Sequence, residues 1–281
     1  MNARVTELWR YPVKSMLGER LEAADISGHG VAGDRTFALV DEATGKICSA
    51  KRYDLWGDLF SYRASLLRPG LARIVFPDGS EMMTDDPSIS AALSERLGRK
   101  VALSATAPAD AKYEEVWDPV KGSRMYGPAT GEEHSGESVI DVGASFWSPG
   151  DFFDAVPIHY LTTNTIEEFR KKEPETTFDV RRFRPNLVFE VDGPEGFVEN
   201  DWKVVRVGDV ELQTVMPVPR CVMTTLPQED LEKDSNVLRS AARHNMVDTG
   251  LLGKMPCAGI YATVASDGTV RVGDAVNVEA R

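Results

Sequence analysis

The chain has 281 residues, of which 42% are hydrophobic and 27% charged, as is ordinary for a globular protein of one large or two modest domains. Its net charge of −12 argues against broad nucleic-acid binding, which requires a basic surface that displaces counterions. There is no run of the roughly 18 apolar residues that a membrane span needs. The N-terminus also lacks the apolar run of a signal peptide, so we expect a cytoplasmic protein without a membrane anchor.

The first hundred residues predict short strands separated by turns. Strand patterns are found at residues 5–9, 35–41, 46–49 and 71–76. A hairpin turn at residues 42–45 joins the second and third of these strands. Pro12 marks the end of the first, because proline cannot donate a hydrogen bond within a sheet.

The clearest helix is predicted at residues 87–97. Asp86 precedes it as N-cap, Pro87 takes the first helical position, and Gly98 ends it. Apolar residues recur every four positions along one face. We interpret this helix as structural.

Residues 105–136 depart from this pattern, since they are rich in proline, glycine and acidic residues. A stretch of that length without periodicity is a linker or a functional loop. Its larger side chains favour a loop that folds over a site: Trp117, Met125 and Tyr126. We place the boundary between two subdomains within this stretch.

The second half again predicts more strand than helix. Helices are expected at residues 164–172 and 236–243, and strands at residues 186–191, 202–207, 210–215, 260–265 and 270–278. Val207-Gly208-Asp209 and Val272-Gly273-Asp274 are interpreted as turns. Many short strands with few helices indicate a mainly β protein of the α+β class with a β-barrel-like core.

Residues 179–186 contain three arginines within four positions. If the segment is extended, Arg182, Arg184 and Asn186 share one face, because side chains alternate along a strand. Such a row suits a phosphate or another polyanion, which guanidinium groups bind with two hydrogen bonds. A solvated basic face paired with nearby carboxylates explains the same residues equally well.

Residues 216–221 bring a cysteine to the end of a proline-rich segment. Pro217 and Pro219 argue against a central strand, so we predict a stiff loop that leaves strand 210–215. Cys221 follows Arg220, whose charge should favour the thiolate, the form that binds metals and attacks electrophiles. The alternative, which the residues alone favour, is that Cys221 is a small buried hydrophobic residue.

A third group of donors lies near the N-terminus. Lys14 and Ser15 leave the end of the first strand, and Arg35 begins the next one. Together they suit a phosphate, although each taken singly is more typical of ordinary surface.

Other chemical motifs are missing from the sequence. Cys48 and Cys257 are assigned to packing, and the three cysteines form no disulfide framework, zinc motif or iron–sulfur motif. No GxGxxG, phosphate-binding loop, GxSxG or HExxH motif is found, which argues against the commonest nucleotide-binding enzymes and hydrolases. Any redox chemistry would take its electrons from a partner.

Taken together, these elements resemble the MOSC family, the molybdenum-cofactor sulfurase C-terminal domain, with its N-terminal β-barrel companion. The resemblance covers nearly the whole chain in the expected order. It rests on Tyr11-Pro12-Val13-Lys14-Ser15, Gly33-Asp34-Arg35, Val40-Asp41, Arg182-Phe183-Arg184-Pro185-Asn186, Trp202, Val207-Gly208-Asp209, Arg220-Cys221 and Thr224-Thr225. Ala50-Lys51-Arg52-Tyr53-Asp54 departs from the Gln-Arg-x-x-Pro pattern of relatives, which puts local contacts there in doubt.

The resemblance implies an N-terminal MOSC β-barrel-like domain at residues 1–110, packed on a MOSC β-barrel at residues 111–281. It implies a molybdenum cofactor (molybdopterin) held between them, with Cys221 as the molybdenum ligand and catalytic residue. The implied cofactor contacts are Lys14, Ser15, Arg35, Thr162, Thr163, Arg182, Arg184, Asn186, Pro219 and Cys221.

The pattern is most similar to the mitochondrial amidoxime-reducing components and their bacterial counterparts. This similarity implies a molybdenum-cofactor oxidoreductase that reduces N-hydroxylated or N-oxide small molecules, or S-oxides. A separate electron-donor protein of ferredoxin, cytochrome or flavin reductase type is expected, since no fused ferredoxin domain is evident. Two alternatives remain: a cysteine-persulfide sulfur transferase, which would need a separate desulfurase because no pyridoxal-phosphate domain is present, and a non-catalytic cofactor carrier.

Overall fold

The computed structural model describes residues 2–108, 111–117, 138–143, 151–193, 195–250 and 252–280. Most of the regular structure in these ranges is strand. The strands are β1 (Ala3–Arg10), β2 (Glu19–Leu21), β3 (Ala23–Ser27), β4 (Gly30–Val31), β5 (Ala38–Asp41), β6 (Arg63–Arg68), β7 (Leu71–Val75), β8 (Glu81–Met83), β9 (Val101–Ser104), β10 (Lys112–Trp117), β11 (Ser138–Gly143), β12 (Ile158–Thr162), β13 (Leu187–Val191), β14 (Trp202–Val207), β15 (Val210–Pro219), β16 (Met246–Asp248), β17 (Lys254–Ser266), β18 (Gly268–Arg271) and β19 (Val276–Ala280). The α-helices are α1 (Tyr53–Trp56), α2 (Ile89–Leu97), α3 (Thr163–Lys172) and α4 (Asn236–His244).

One large sheet joins the two ends of the chain. Its strand order is β19-β14-β15-β17-β12-β13-β1-β2, with β16 added beside β17. The sheet curls until β1 meets the turn before β19, where Val5 N donates to Asp274 O at 2.9 Å and Gly273 N donates to Val5 O at 2.8 Å. Because β1 pairs with β13, the N-terminal strand shares a sheet with the second half of the chain.

The two largest apolar cores of the described residues support this sheet and the strands that follow β2. The first lies on the large sheet and includes the packed rings of Tyr160, Phe189 and Trp202. The second lies under β5–β9 and α2, around Met16 and Leu93. The fold is therefore mainly β with a few helices, as the sequence predicts.

Several predicted elements are confirmed with shifted ends. Helix α2 begins at Ile89, because the carboxylate of Asp86 accepts from Ser88 N at 2.8 Å and holds the preceding turn. Gly98 ends it in the left-handed conformation, as predicted. The hairpin of β14 and β15 is also confirmed, with its turn at Gly208.

Other predictions are wrong. The strand predicted from residue 35 starts at Ala38, since Arg35 is left-handed with φ 48°. Residues 46–49 form only isolated bridges, and residues 270–278 are split into β18 and β19 by a turn at Gly273. Strand β10 lies within the predicted loop 105–136, whose Met125 and Tyr126 fall outside the described residues.

The proline-rich segment is also not the predicted loop. Strand β15 continues through Pro217 and Pro219, which pair with Ile260 and Cys257 of β17 across register shifts. On the other side, β14 pairs with β15 only as far as Gln213. The prolines therefore lie where that side of β15 has no partner strand among the described residues, so their missing N–H groups break no ladder there.

No helix within the described ranges is both long enough and apolar enough to cross a membrane.

A close approach between β17 and β12 requires glycine at position 259. Gly259 has φ +76°, and a Cβ atom there would lie 2.5 Å from His159 Nε2 and 2.6 Å from Tyr160 O. We expect Gly259→Ala to lower the free energy of unfolding by about 2–4 kcal/mol, from left-handed strain plus overpacking. Urea denaturation measures this.

Gly45→Ala is the matched control. Gly45 has φ +70° but open space around its Cβ position, so only the left-handed strain of about 1–2 kcal/mol should apply. Equal losses in both variants would contradict the proposed close packing of Gly259.

Candidate functional site

A small cavity lies where the turn after β1 meets residues 151–157 and the start of β13. It encloses about 40 Å³. Five residues predicted from the sequence line it: Lys14, Ser15, Arg35, Arg184 and Asn186. The tertiary structure thus brings together side chains from three separate parts of the sequence.

Backbone strain is concentrated at this cavity. Among the described residues other than glycine, four have positive φ: Ser15 (62°), Arg35 (48°), Arg184 (55°) and Glu229 (50°). The first three line the cavity. The left-handed conformation costs about 1–2 kcal/mol in a residue with a Cβ atom, so three such residues at one place suggest a functional constraint.

The N-terminal cations are held by carboxylates and carbonyls. Lys14 Nζ donates to Phe152 O at 2.9 Å and forms an ion pair with Asp154. Arg35 pairs with the buried carboxylate of Asp34. Both cations are largely withdrawn from water, and each has a carboxylate partner.

Arg184 is different because it has no ion pair in the described part of the chain. Its Nη1 donates to Met16 O at 2.8 Å, and its guanidinium lies 4.2 Å from the centre of the Tyr11 ring. Burial, with a smaller contribution from the nearby Arg35, lowers its pKa to about 10. A buried cation without a counterion is expensive, and an anion in the cavity would offset that cost.

Asn186 connects the two sides of the cavity. Its Nδ2 donates to Asp34 Oδ2 at 3.0 Å, and its Oδ1 accepts from His159 N at 3.2 Å. The side chain therefore ties the N-terminal turn that carries Arg35 to strand β12.

Lys51 is a further cation of this region that the sequence analysis did not select. Its Nζ lies 3.1 Å from Tyr113 Oη, pairs with Glu115, and lies 3.6 Å from Asp154 Oδ2. Burial lowers its pKa, but Asp154 and Glu115 outweigh this and raise it well above the usual value. The only signal in the sequence was that residues 50–54 depart from the family pattern.

Cys221 lies close enough to Lys51, Glu115 and Asp154 to feel their charges, but it does not line the cavity. It is half-buried and precedes a 3₁₀ turn at Val222–Thr225. Burial raises the pKa of its thiol, and Lys51 is the leading influence that lowers it.

Arg220 attracts the Cys221 thiolate, as expected, but it is not the leading influence on the thiol. Its guanidinium points instead to Ala258 O (2.9 Å from Nε) and Phe183 O (3.1 Å from Nη1).

The predicted row of arginines on one strand face is also wrong. Residues Val180–Phe183 form a 3₁₀ turn and Arg184 is left-handed, so alternation does not apply. Arg182 is buried away from the cavity and donates to the backbone carbonyls of residues 177, 224, 226 and 232.

The remaining predicted contacts lie outside the cavity lining. Thr162 is the N-cap of α3, and its hydroxyl donates to Glu199 Oε2 at 2.6 Å. Thr163 lines a separate charged cleft beside Trp9. Pro219 ends β15 opposite Cys257.

The charges of the side chains at the cavity suit an anionic cofactor, but the cavity is too small to hold one without rearrangement. No group of three or more His, Cys, Asp or Glu side chains that could hold a metal ion occurs within the described ranges. Arg184, which has no counterion in the described ranges, provides donors for a polyanion together with Lys14, Ser15 and Arg35. The 40 Å³ enclosed is far below the roughly 300 Å³ of a small-molecule site, so Asp154 and its neighbours would have to move for one to bind.

Comparison with known proteins identifies two domains in the chain. The model of the MOSC domain matches residues 148–277, and that of the MOSC N-terminal beta barrel domain matches residues 2–100. The chain therefore carries a MOSC domain and a MOSC N-terminal beta barrel domain.

Among relatives, mitochondrial amidoxime reducing component 2 of Bos taurus and mitochondrial amidoxime-reducing component 1 of Homo sapiens are each 24% identical, over 97% of this chain and 82% of those proteins. Mitochondrial amidoxime-reducing component 1 of Mus musculus is 33% identical over 44% of this chain, which spans 37% of that protein. The YuaD protein of Bacillus subtilis aligns over 100% of this chain and 97% of its own at 11% identity, with a TM-score of 0.48.

The carboxylate of Asp154 should compete with any anion for Lys14. We expect Asp154→Asn to bind inorganic pyrophosphate at least about tenfold more tightly, because placing an anion beside a carboxylate costs on the order of 1–3 kcal/mol. Isothermal titration calorimetry measures this. Asp151→Asn makes the same charge change beside the exposed His29 and should leave affinity unchanged. Unchanged or weaker binding by Asp154→Asn would show that Asp154 does not compete.

Glu199 should make stability depend on pH. It accepts from the Thr162 and Thr165 hydroxyls at 2.6 Å, and burial raises its pKa above the ordinary 4.5. The folded state keeps this proton to higher pH than the unfolded chain does, so stability is lost as pH rises from 4.5 through the folded pKa. In that window the slope reaches up to about 1.4 kcal/mol per pH unit.

Glu199→Gln should remove this contribution, whereas the surface substitution Glu190→Gln should keep it. Urea denaturation as a function of pH measures the difference. Parallel pH profiles for wild type and Glu199→Gln would refute the assignment.

Proposed function

We propose that this protein is a molybdenum-cofactor-dependent oxidoreductase that reduces N-hydroxylated or N-oxide compounds, with S-oxides as a further substrate class. The observation that carries the proposal is Arg184, a buried and strained cation without a carboxylate partner among the described residues, facing a cavity shared with Lys14 and Arg35. The names of the relatives support the choice of substrate class.

The chain's own residues would bind and orient the cofactor. Lys14, Ser15, Arg35, Arg184 and Asn186 would meet its anionic groups with charge-assisted hydrogen bonds. The Cys221 thiolate would be the protein ligand to molybdenum, since soft sulfur suits that metal. Lys51 would offset the negative charge of this ligand. When bound, the cofactor would supply two-electron redox chemistry that these side chains lack.

The net reaction is balanced with an external reductant. For a hydroxylamine, two electrons and two protons convert R–NHOH into R–NH₂ and water, with cleavage of the N–O bond. A separate electron-donor protein would supply the electrons.

The test is metal and pterin analysis of purified wild type beside Cys221→Ser, with turnover by the reduced protein. We expect wild type to contain molybdenum and to reduce hydroxylamines and N-oxides. Cys221→Ser should lose at least about a hundredfold of this activity, at or beyond the upper end seen for outer-shell partners of a metal. Retained molybdenum with lost activity would fit a ligand role.

Cys48→Ala is the control, because it removes a thiol buried in the second apolar core. It should retain activity per folded protein. Wild type without molybdenum, or reduced protein that leaves these substrates untouched, would exclude the oxidoreductase. A stable Cys221 persulfide without metal would indicate sulfur transfer, and tight cofactor binding without turnover would indicate a carrier.

A further inference from the structure

The ring of His159 lies between two arginine residues. Its Nε2 is 2.6 Å from Arg220 Nη2, and its Nδ1 is 3.3 Å from Arg184 O. An arginine guanidinium can only donate, so Nε2 must accept. The ring proton then resides on Nδ1 and is donated to the Arg184 carbonyl. This arrangement requires a neutral imidazole, which agrees with a pKa that burial and Arg220 lower well below the usual value.

The two arginines are linked through consecutive peptide groups. Arg220 Nη1 donates to Phe183 O at 3.1 Å. His159 Nδ1 donates to the next carbonyl along the chain, that of Arg184. These carbonyls belong to the residues at which the backbone turns into the left-handed conformation. Hydrogen bonds to both can hold a conformation that is otherwise unfavourable.

The backbone of His159 fixes a second cavity residue. Asn186 N donates to His159 O at 2.7 Å, and His159 N donates to Asn186 Oδ1. Asn186 in turn reaches Asp34, the partner of Arg35. One residue therefore contacts both the Arg184 turn and the bridge to the N-terminal cations.

The other end of this network adjoins the thiol. Arg220 is buried, has no ion pair in the described ranges, and immediately precedes Cys221. Its Nε and Nη2 donate to Ala258 O. The position of Cys221 is thus tied to the same network that orients Arg184.

We propose that His159 is a positioning residue: as a neutral imidazole protonated on Nδ1, it couples the segment that carries Cys221 to the part of the cavity wall formed by Arg184 and Asn186. The effect of His159 on cofactor binding rests on the proposed function. The hydrogen-bond network itself is independent of that function.

The tautomer can be observed directly in wild-type protein labelled with ¹⁵N-histidine. The chain has four histidines. One of them, assigned by its loss in His159→Gln, should show a neutral ring with the proton on Nδ1 that persists below pH 6.5, the ordinary pKa of histidine. A His159 signal that is charged at neutral pH or protonated on Nε2 would overturn the inference.

Variants test the consequence for the site. His159→Phe keeps ring volume but loses both hydrogen bonds, and we expect about tenfold less molybdenum per folded protein, as for outer-shell partners of a metal. His159→Gln keeps an acceptor that can meet Arg220 and should recover part of the loss.

Val205→Ala in β14 is the control, since it removes core packing away from the cavity lining. It should lower stability but retain molybdenum. The inference fails if His159→Phe retains wild-type content, or if its loss only matches that of Val205→Ala.

A failure of the proposed function can be distinguished from a failure of the positioning role of His159. If wild type contains no molybdenum, binding of inorganic pyrophosphate to the same variants becomes the measurement. His159→Phe should then bind about tenfold more weakly than wild type, with His159→Gln between them. Equal affinities would overturn the positioning role whatever the natural ligand is.

Discussion

Several positive charges are buried around one small cavity, and much of the local structure follows from the need to hold them there. A cation removed from water must find carbonyls, carboxylates or an anion. Lys14 and Arg35 find Asp154 and Asp34, whereas among the described residues Arg184 finds Met16 O and the faces of two aromatic rings. The backbone also contributes, because Ser15, Arg35 and Arg184 adopt the unfavourable left-handed conformation where their side chains line the cavity.

The fold can meet that cost because the cavity is assembled from rigid parts. Strand β1 pairs with β13, so the turn that carries Lys14 and Ser15 is fixed against the strand that follows Asn186. Strands β12 and β17 bring His159 and Gly259 into close contact. A site built on paired strands can keep its donors within a few tenths of an ångström, which recognition of an anion requires.

The presence of a MOSC domain and its N-terminal companion gives this arrangement a chemical interpretation, while the particular chain adds its own features. Lys51, at a position where the local sequence departs from the family pattern, is the cation that most favours the Cys221 thiolate. Arg220, adjacent to that thiol in sequence, attracts it more weakly and donates its hydrogen bonds to neighbouring backbone carbonyls. Proximity along the chain was therefore a poor guide to electrostatic partnership, because side-chain direction depends on the strand register.

The sequence by itself determined the fold class, helix α2 with its glycine stop, the β14–β15 hairpin and the identity of five cavity residues, because these depend on local patterns and recognisable motifs. Only the tertiary structure decided that Arg182 faces backbone carbonyls while Arg184 faces the cavity, and that His159 and Lys51 belong to the site. These outcomes depend on left-handed residues, register shifts and contacts between distant segments. None of them leaves a periodic signal along the chain.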